Sequence, residues 1–165
     1  MRKITPEQRK RLEEIGFPFL NTKIASKGVM ENNTKHNNVE KEGIIFYVID
    51  SSIIPEYSVW NPSFDKIIEK GCKLVIVSPV LRELDEYQRQ ETTSEAYGAR
   101  RLLARAAEDE INFLVVRIDE SEPSLEENLL IFCGMQKNCG VITADAIMAL
   151  KARLEGIPVE YLSIE

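Results

Sequence analysis

Short apolar runs separated by helix-patterned stretches constrain this chain more than any other feature. IIFYVI (44–49), KLVIVS (73–78) and NFLVVRI (112–118) lack the polar–apolar alternation of a strand with one wet face, and VIT (141–143) and VEYL (159–162) are shorter runs of similar character. Continuous runs of this kind suit the strands of a parallel sheet, which are covered on both faces. Between them the pattern changes to helical. A segment near 63–70 is closed by Gly71, and Ser78 and Pro79 are cap and first-turn residues for VLRELDEYQ. Leu102, Leu103, Ala106 and Ala107 share a face of a helix over 94–109, SLEENLLIFCGMQKN (124–138) is another, and residues 146–156 form the last, stopped by Gly156. The alternation predicts an α/β fold: a doubly wound, mostly parallel sheet of about five strands with helices on both faces.

Ahead of this lies a different kind of sequence. Residues 5–15 read as a helix in which Thr5 and Gln8 form a capping box and Pro6 takes the first position. Thr92 with Glu95, and Ser124 with Glu127, have the same spacing. From about 21 to 43, Asn, Lys, Glu, Ser and Gly dominate, the composition of a flexible linker or loosely ordered arm. The chain therefore divides into 1–43, an N-terminal helix plus polar linker, and 44–165, the compact domain.

Several function classes drop out. No apolar run approaches the ~20 residues that span a bilayer, and the opening MRKITPEQRKRLEE lacks the apolar stretch of a signal peptide, so the expected location is cytoplasmic. Three cysteines (Cys72, Cys133, Cys139) with no CxxC pair argue against a disulfide framework or a zinc site. With His36 as the single histidine, most imidazole-based catalysis is excluded.

What remains is carboxylate chemistry. In open parallel sheets, ligands bind beyond the carboxyl ends of the strands. Asp50 ends the first strand, Glu83 lies early in the helix after the second, Glu126 and Glu127 open the helix after the third, and Asp145 follows the fourth. Clustered carboxylates repel one another unless a cation sits among them. Mg²⁺ and Mn²⁺ take oxygen ligands, and such ions can activate water against a phosphodiester. Each acid also has a plainer role open to it. Asp50 would cap a turn, Glu83 would face solvent, Glu127 would answer Ser124 in its capping box, and Asp145 would cap the final helix. A phosphotransfer or phosphatase domain is disfavoured, because Ser51 and Ser52 follow Asp50 where a DxD pair would be needed, and no Gly-rich phosphate loop is present.

YVIDSS, VSPVLRELDEY and ITAD, followed by KARLEGIPVEYL, resemble the PIN-domain nucleases over about Ile44 to Leu162, the RNA-processing type more than the compact toxin type. The resemblance places Asp50 at the family's first acid, Glu83 at its helix Glu and Asp145 at the late acid of T-x-D. The third acid, normally Asp, falls on Glu127, sixteen residues before Thr143, with Glu126 as its neighbour. A Glu there departs from the pattern by one methylene. The resemblance implies a Mg²⁺- or Mn²⁺-dependent endoribonuclease that hydrolyses single-stranded RNA to a 5′-phosphate and a 3′-hydroxyl. It also implies Thr143, and Ser51 or Ser52, as hydroxyls that orient the carboxylates. The alternative reading is a non-catalytic PIN-like scaffold that binds RNA or protein.

An RNA strand needs cationic partners for its phosphates. Arg82, Arg100, Arg101 and Arg105 are the candidates, with Arg89 beside them, and Tyr57, Trp60 and Tyr87 are candidates for base stacking. The net charge of −6 lacks the basic excess usual for such binders, though bound ions would offset part of it. The basic N-terminal helix would serve as an arm for RNA or a protein partner, and a homodimer is a further expectation. No membrane partner is expected.

Overall fold

The computed structural model describes residues 4–20, 45–90 and 93–162, and within these the side chains other than those of 55–61. The polar segment 21–43 and Thr92 thus lie outside the described residues.

The expected sheet is present. Strands β1 (Phe46–Ile49), β2 (Lys73–Val77), β3 (Phe113–Val116), β4 (Cys139–Thr143) and β5 (Val159–Tyr161) form one five-stranded sheet in the order β3-β2-β1-β4-β5. Every pairing is parallel, with Val48 opposite Val75 on one side of β1 and opposite Val141 on the other. The continuous apolar runs follow from this: β2 and β4 are buried along their whole length.

Among the described residues the helices are α1 (Pro6–Glu14), α2 (Tyr57–Glu69), α3 (Ser78–Gln88), α4 (Ser94–Glu108), α5 (Leu125–Gly134) and α6 (Ala146–Leu154), with a 3₁₀ turn at Ser51–Glu56. The strand order grows outward from β1 first toward β3, then toward β5. Right-handed crossovers therefore put α2, α3 and α4 on one face of the sheet and α5 and α6 on the other. Contacts agree: α4 packs on α2 and α3, while α6 packs on β4 and β5. Phe64, Leu84 and Leu102 close the first layer, and Leu129, Leu130, Phe132 and Met148 the second, all within 2% of full burial.

The segment after α1 is docked on the domain. Gln136 receives the Leu20 amide at 2.8 Å and donates to the Pro18 carbonyl at 3.0 Å, and Phe17 stacks toward Phe132 at the end of α5. Helix α1 itself buries no residue.

Boundaries differ from the sequence expectation where Gly or Pro disguises an element. Helix α2 begins at Tyr57 rather than near Ser63, running through Pro62. Strand β4 begins at Cys139 rather than Val141, because Gly140 is built into it. A Cβ on Gly140 would stand 2.7 Å from the Pro158 carbonyl and 3.1 Å from the Tyr47 ring. Helix α5 stops at Gly134, and Asn138 at φ 55° turns the chain into β4. Ser78 is not a side-chain cap. Its hydroxyl accepts the Ile118 amide at 3.0 Å, tying the start of α3 to the segment after β3. Helix α4 is capped by Thr93, whose hydroxyl accepts from the Ala96 amide.

Candidate functional site

The point where strand order reverses lies between β1 and β4, and the ends of these two strands build the site. Asp50 is held in line by its amide, which continues the ladder to Ile142 at 2.9 Å. The 3₁₀ turn then carries Ser52 back over it. Asp50 is only 6% exposed, and its Oδ2 accepts from Ser52 at 2.7 Å and from Thr143 at 2.6 Å. Each hydroxyl in turn accepts one backbone amide, Ser52 that of Ala144 at 2.9 Å and Thr143 that of Asp145 at 3.0 Å. The proton count closes for an ionised Asp50: two hydroxyl hydrogens reach one carboxylate oxygen, and both hydroxyl oxygens are supplied from the backbone. Of the two serines considered, Ser52 is the one that reaches Asp50.

Asp145 caps α6, its Oδ1 accepting from the Ile147 and Met148 amides at 2.9 and 3.4 Å. The plainer role foreseen for it is therefore present, and it fixes where the charge points without neutralising it. Ser124 caps α5, accepting from the Glu127 amide at 3.3 Å. Asn128, 5% exposed, clamps the loop before α5 by pairing with both backbone groups of Glu122, which fixes the start of the helix.

These anchors bring Asp50, Asp145 and Glu126 into one electrostatic neighbourhood. Burial raises the Asp50 carboxyl above the ordinary carboxylate range, and the charges of Asp145 and Glu126 push the same way against the two hydroxyl bonds. Glu127 stands one residue on. It is felt at Lys151, whose ammonium pairs with Glu126 at 2.9 Å. Lys151 escaped the sequence reading because its partner lies on another helix.

Glu83 faces an adjoining space. It lines a cavity of about 240 Å³ with Arg82, Glu86, Glu120, Glu122 and Asn128, beyond the ends of β2 and β3. Its Oε1 is fully buried and has no hydrogen-bond partner among the described residues. Glu86, one helical turn from Glu83, was legible from its i, i+3 spacing; Glu120 and Glu122 lie in a loop with no such signal.

Most of the proposed phosphate ligands are engaged within the protein. Arg82 pairs with Glu120, Arg105 pairs with Asp65, and Arg100 donates to the Gln88 and Gln90 carbonyls at the end of α3. Arg89 pairs with Asp85. Arg101 is exposed. Tyr87 is partly buried against the core, and the side chains of Tyr57 and Trp60 lie outside the described residues.

Fold and site together define an α/β domain with a parallel sheet and a carboxylate group at its switch point. No family model matches the chain, and no curated protein matches it. Among solved structures, the chain is similar to a domain of a functionally unknown protein from Methanocaldococcus jannaschii, at 19% identity and a TM-score of 0.51, over 73% of this chain and 93% of that one. That likeness concerns the fold. Among the described residues, no helix is long and apolar enough to cross a membrane.

Proposed function

We propose that the chain is a divalent-metal-dependent endoribonuclease of the PIN type, acting on single-stranded RNA. The observation that carries this reading is the burial of Asp50 at the switch point, with Asp145 and Glu126 adding negative charge around it. An arrangement that disfavours its own ionisation is relieved by a cation. The donors are all carboxylate oxygens, the set that Mg²⁺ and Mn²⁺ take in preference to softer metals. Asp50 and Asp145 would hold such an ion; among the described residues no third acid stands close enough to complete the set, and Glu83 lines a separate cavity. When bound, such an ion supplies an activated water and charge neutralisation at the phosphate. The chain's own part is to orient: Ser52 and Thr143 fix one Asp50 oxygen, and the α6 cap fixes Asp145.

Incubation of the full chain with 5′-labelled single-stranded RNA and Mn²⁺ tests this. Cleavage is expected, with its loss in Asp50→Asn and in Asp145→Asn. Folded wild-type protein that leaves RNA intact with both Mn²⁺ and Mg²⁺ overturns the reading.

A second reading, a PIN-like scaffold that binds RNA or protein without cutting, is favoured by one geometric fact. Among the described residues, no three of His, Cys, Asp and Glu stand close enough together to hold one metal ion. RNA affinity without metal-dependent turnover would decide for it.

A further inference from the structure

Helix α6 carries an apolar stripe that is left uncovered among the described residues. Ile147, Leu150 and Leu154 are 55%, 56% and 86% exposed. Their spacing, three residues and then four, is that of the a and d positions of a coiled-coil seam. At about 100° per residue the three share one face of the helix. Met148, Ala149 and Ala152, the buried residues of α6, take the opposite face, toward β4 and β5. The stripe therefore points straight away from the core, and packing inside the domain does not account for it. Large aliphatic side chains gathered on the outer face of a helix mark a contact surface.

We propose that this face pairs with the same face of a second copy of the chain, α6 against α6 about a two-fold axis, with the two helices antiparallel. The proposal is independent of the metal-site reading. The charges beside the stripe argue for both the occupant and the direction. Asp145 stands at the N-terminal end of α6 and the exposed Arg153 near its C-terminal end. Arg153 enters none of the ion pairs among the described residues. An antiparallel copy brings each Arg153 to the Asp145 end of the other helix, whereas a parallel copy sets arginine against arginine and aspartate against aspartate. On the other flank of the stripe, Lys151 pairs with Glu126 of α5 at 2.9 Å. A two-fold axis turns this pair against its own copy, ammonium toward carboxylate. The same direction also sets the two helix dipoles antiparallel. An isologous contact of this kind needs only one self-complementary patch and closes at two subunits. The stripe covers two helical turns, a smaller area than the ~800 Å² per partner of a standard stable interface, so the dimer is reversible and concentration-dependent. Each copy then brings an arginine to the rim where the other's Asp145 stands.

The experiment is analytical ultracentrifugation of the full chain from low micromolar to millimolar loading. The wild-type weight-average mass is expected to rise from the monomer's 18.8 kDa toward twice that value. Leu150→Arg, in the middle of the stripe, is expected to stay at the monomer mass throughout. Arg153→Glu is expected to weaken the dimer about tenfold, because it places like charges at both ends of the interface. Both side chains are exposed, so melting curves at low concentration are expected to match wild type. Cross-linking reads the direction. Cys72, Cys133 and Cys139 are buried, so a cysteine added on α6 reports alone. Oxidation is expected to join Leu150→Cys to itself and Ile147→Cys to Leu154→Cys, and to leave Leu154→Cys alone unjoined. A wild type that stays monomeric at every concentration overturns the proposal and leaves the face to a different protein. Dimerisation of Leu150→Arg as tight as wild type overturns it as well, and self-joining of Leu154→Cys overturns the antiparallel direction.

Discussion

The Thr143 hydroxyl donates to Asp50 Oδ2 at 2.6 Å, joining two adjacent strand ends that lie 93 residues apart in sequence. Thr143 is fully buried and also accepts the Asp145 amide, so one side chain sets the orientation of two of the candidate metal-binding acids. Thr143→Val keeps the shape and removes both bonds. It leaves the Asp145 amide without its acceptor and takes from Asp50 one of its two hydroxyl donors, a loss of about 1–3 kcal/mol for buried partners left unpaired. Activity on RNA is expected to fall about 10–100-fold, the usual effect of removing a group that orients a metal ligand. Thr143→Ser keeps the hydroxyl and is expected to retain most of both. Thermal melts and single-turnover cleavage measure the two effects separately.

Asp50 gives a pH signature. Burial raises its carboxyl in the folded state, with Asp145 and Glu126 adding to the shift. Between the ordinary carboxylate range and that raised value, the folded protein binds more protons than the unfolded chain. Stability contributed by this residue therefore falls as pH rises through the window, and stays reduced above it. Asp50→Asn removes the ionisation and offers an amide oxygen to the same two hydroxyls. In metal-free buffer at pH 7, D50N is expected to melt above wild type. As pH falls below the ordinary carboxylate range, where Asp50 is protonated in the folded and the unfolded state alike, the difference is expected to close. Melting temperatures across that pH range decide it, and a D50N protein that melts below wild type at pH 7 sinks the idea.

Gly98 is where α4 meets the turn that carries Ser52. An added Cβ would lie 1.9 Å from the Ile54 carbonyl oxygen, a backbone atom with no side-chain freedom to give way. Gly98→Ala must therefore push α4 off the 3₁₀ turn. Overpacking of this kind costs about 3 kcal/mol or more, which lowers the melting temperature by about 6–12 °C. The turn supports Ser52, so cleavage is expected to weaken as well. Calorimetric melting of the variant checks the first part.

The sequence showed the sheet more readily than the site, for physical reasons. Parallel strands covered on both faces, such as Leu74–Val77, must be apolar throughout, and that signal is local. Gly71 and Gly156, both in the left-handed region, mark the ends of α2 and α6 equally locally. Gly140 hid the start of β4 because its reason is a neighbour, Pro158, that only the fold supplies. Asp50 and Asp145 were readable as strand-end acids. The Lys151–Glu126 pair, 25 residues apart, was not, nor was the turn of Glu83 toward a separate cavity. Which hydroxyl serves Asp50 was open in sequence and depends on the sense of the 3₁₀ turn.

The candidate phosphate-binding arginines divide into those engaged by protein oxygens and one that is exposed. Arg82, Arg100 and Arg105 are each engaged by protein oxygens, whereas Arg101 is exposed on α4. A phosphate contact is available at lowest cost from a side chain that gives up no existing bond. Arg101→Ala is therefore expected to weaken single-stranded RNA binding about threefold and to reduce the slope of log affinity against log salt by about 0.7, the loss of one phosphate contact on a single strand. Its melting temperature is expected to stay that of wild type. Arg100→Ala should behave in the opposite way. It uncovers the Gln88 and Gln90 carbonyls, lowers stability by about 1 kcal/mol, and leaves the salt slope unchanged. Fluorescence anisotropy over a salt series, run beside melting curves, distinguishes the two. An Arg101 variant with an unaltered slope would remove α4 from the RNA path.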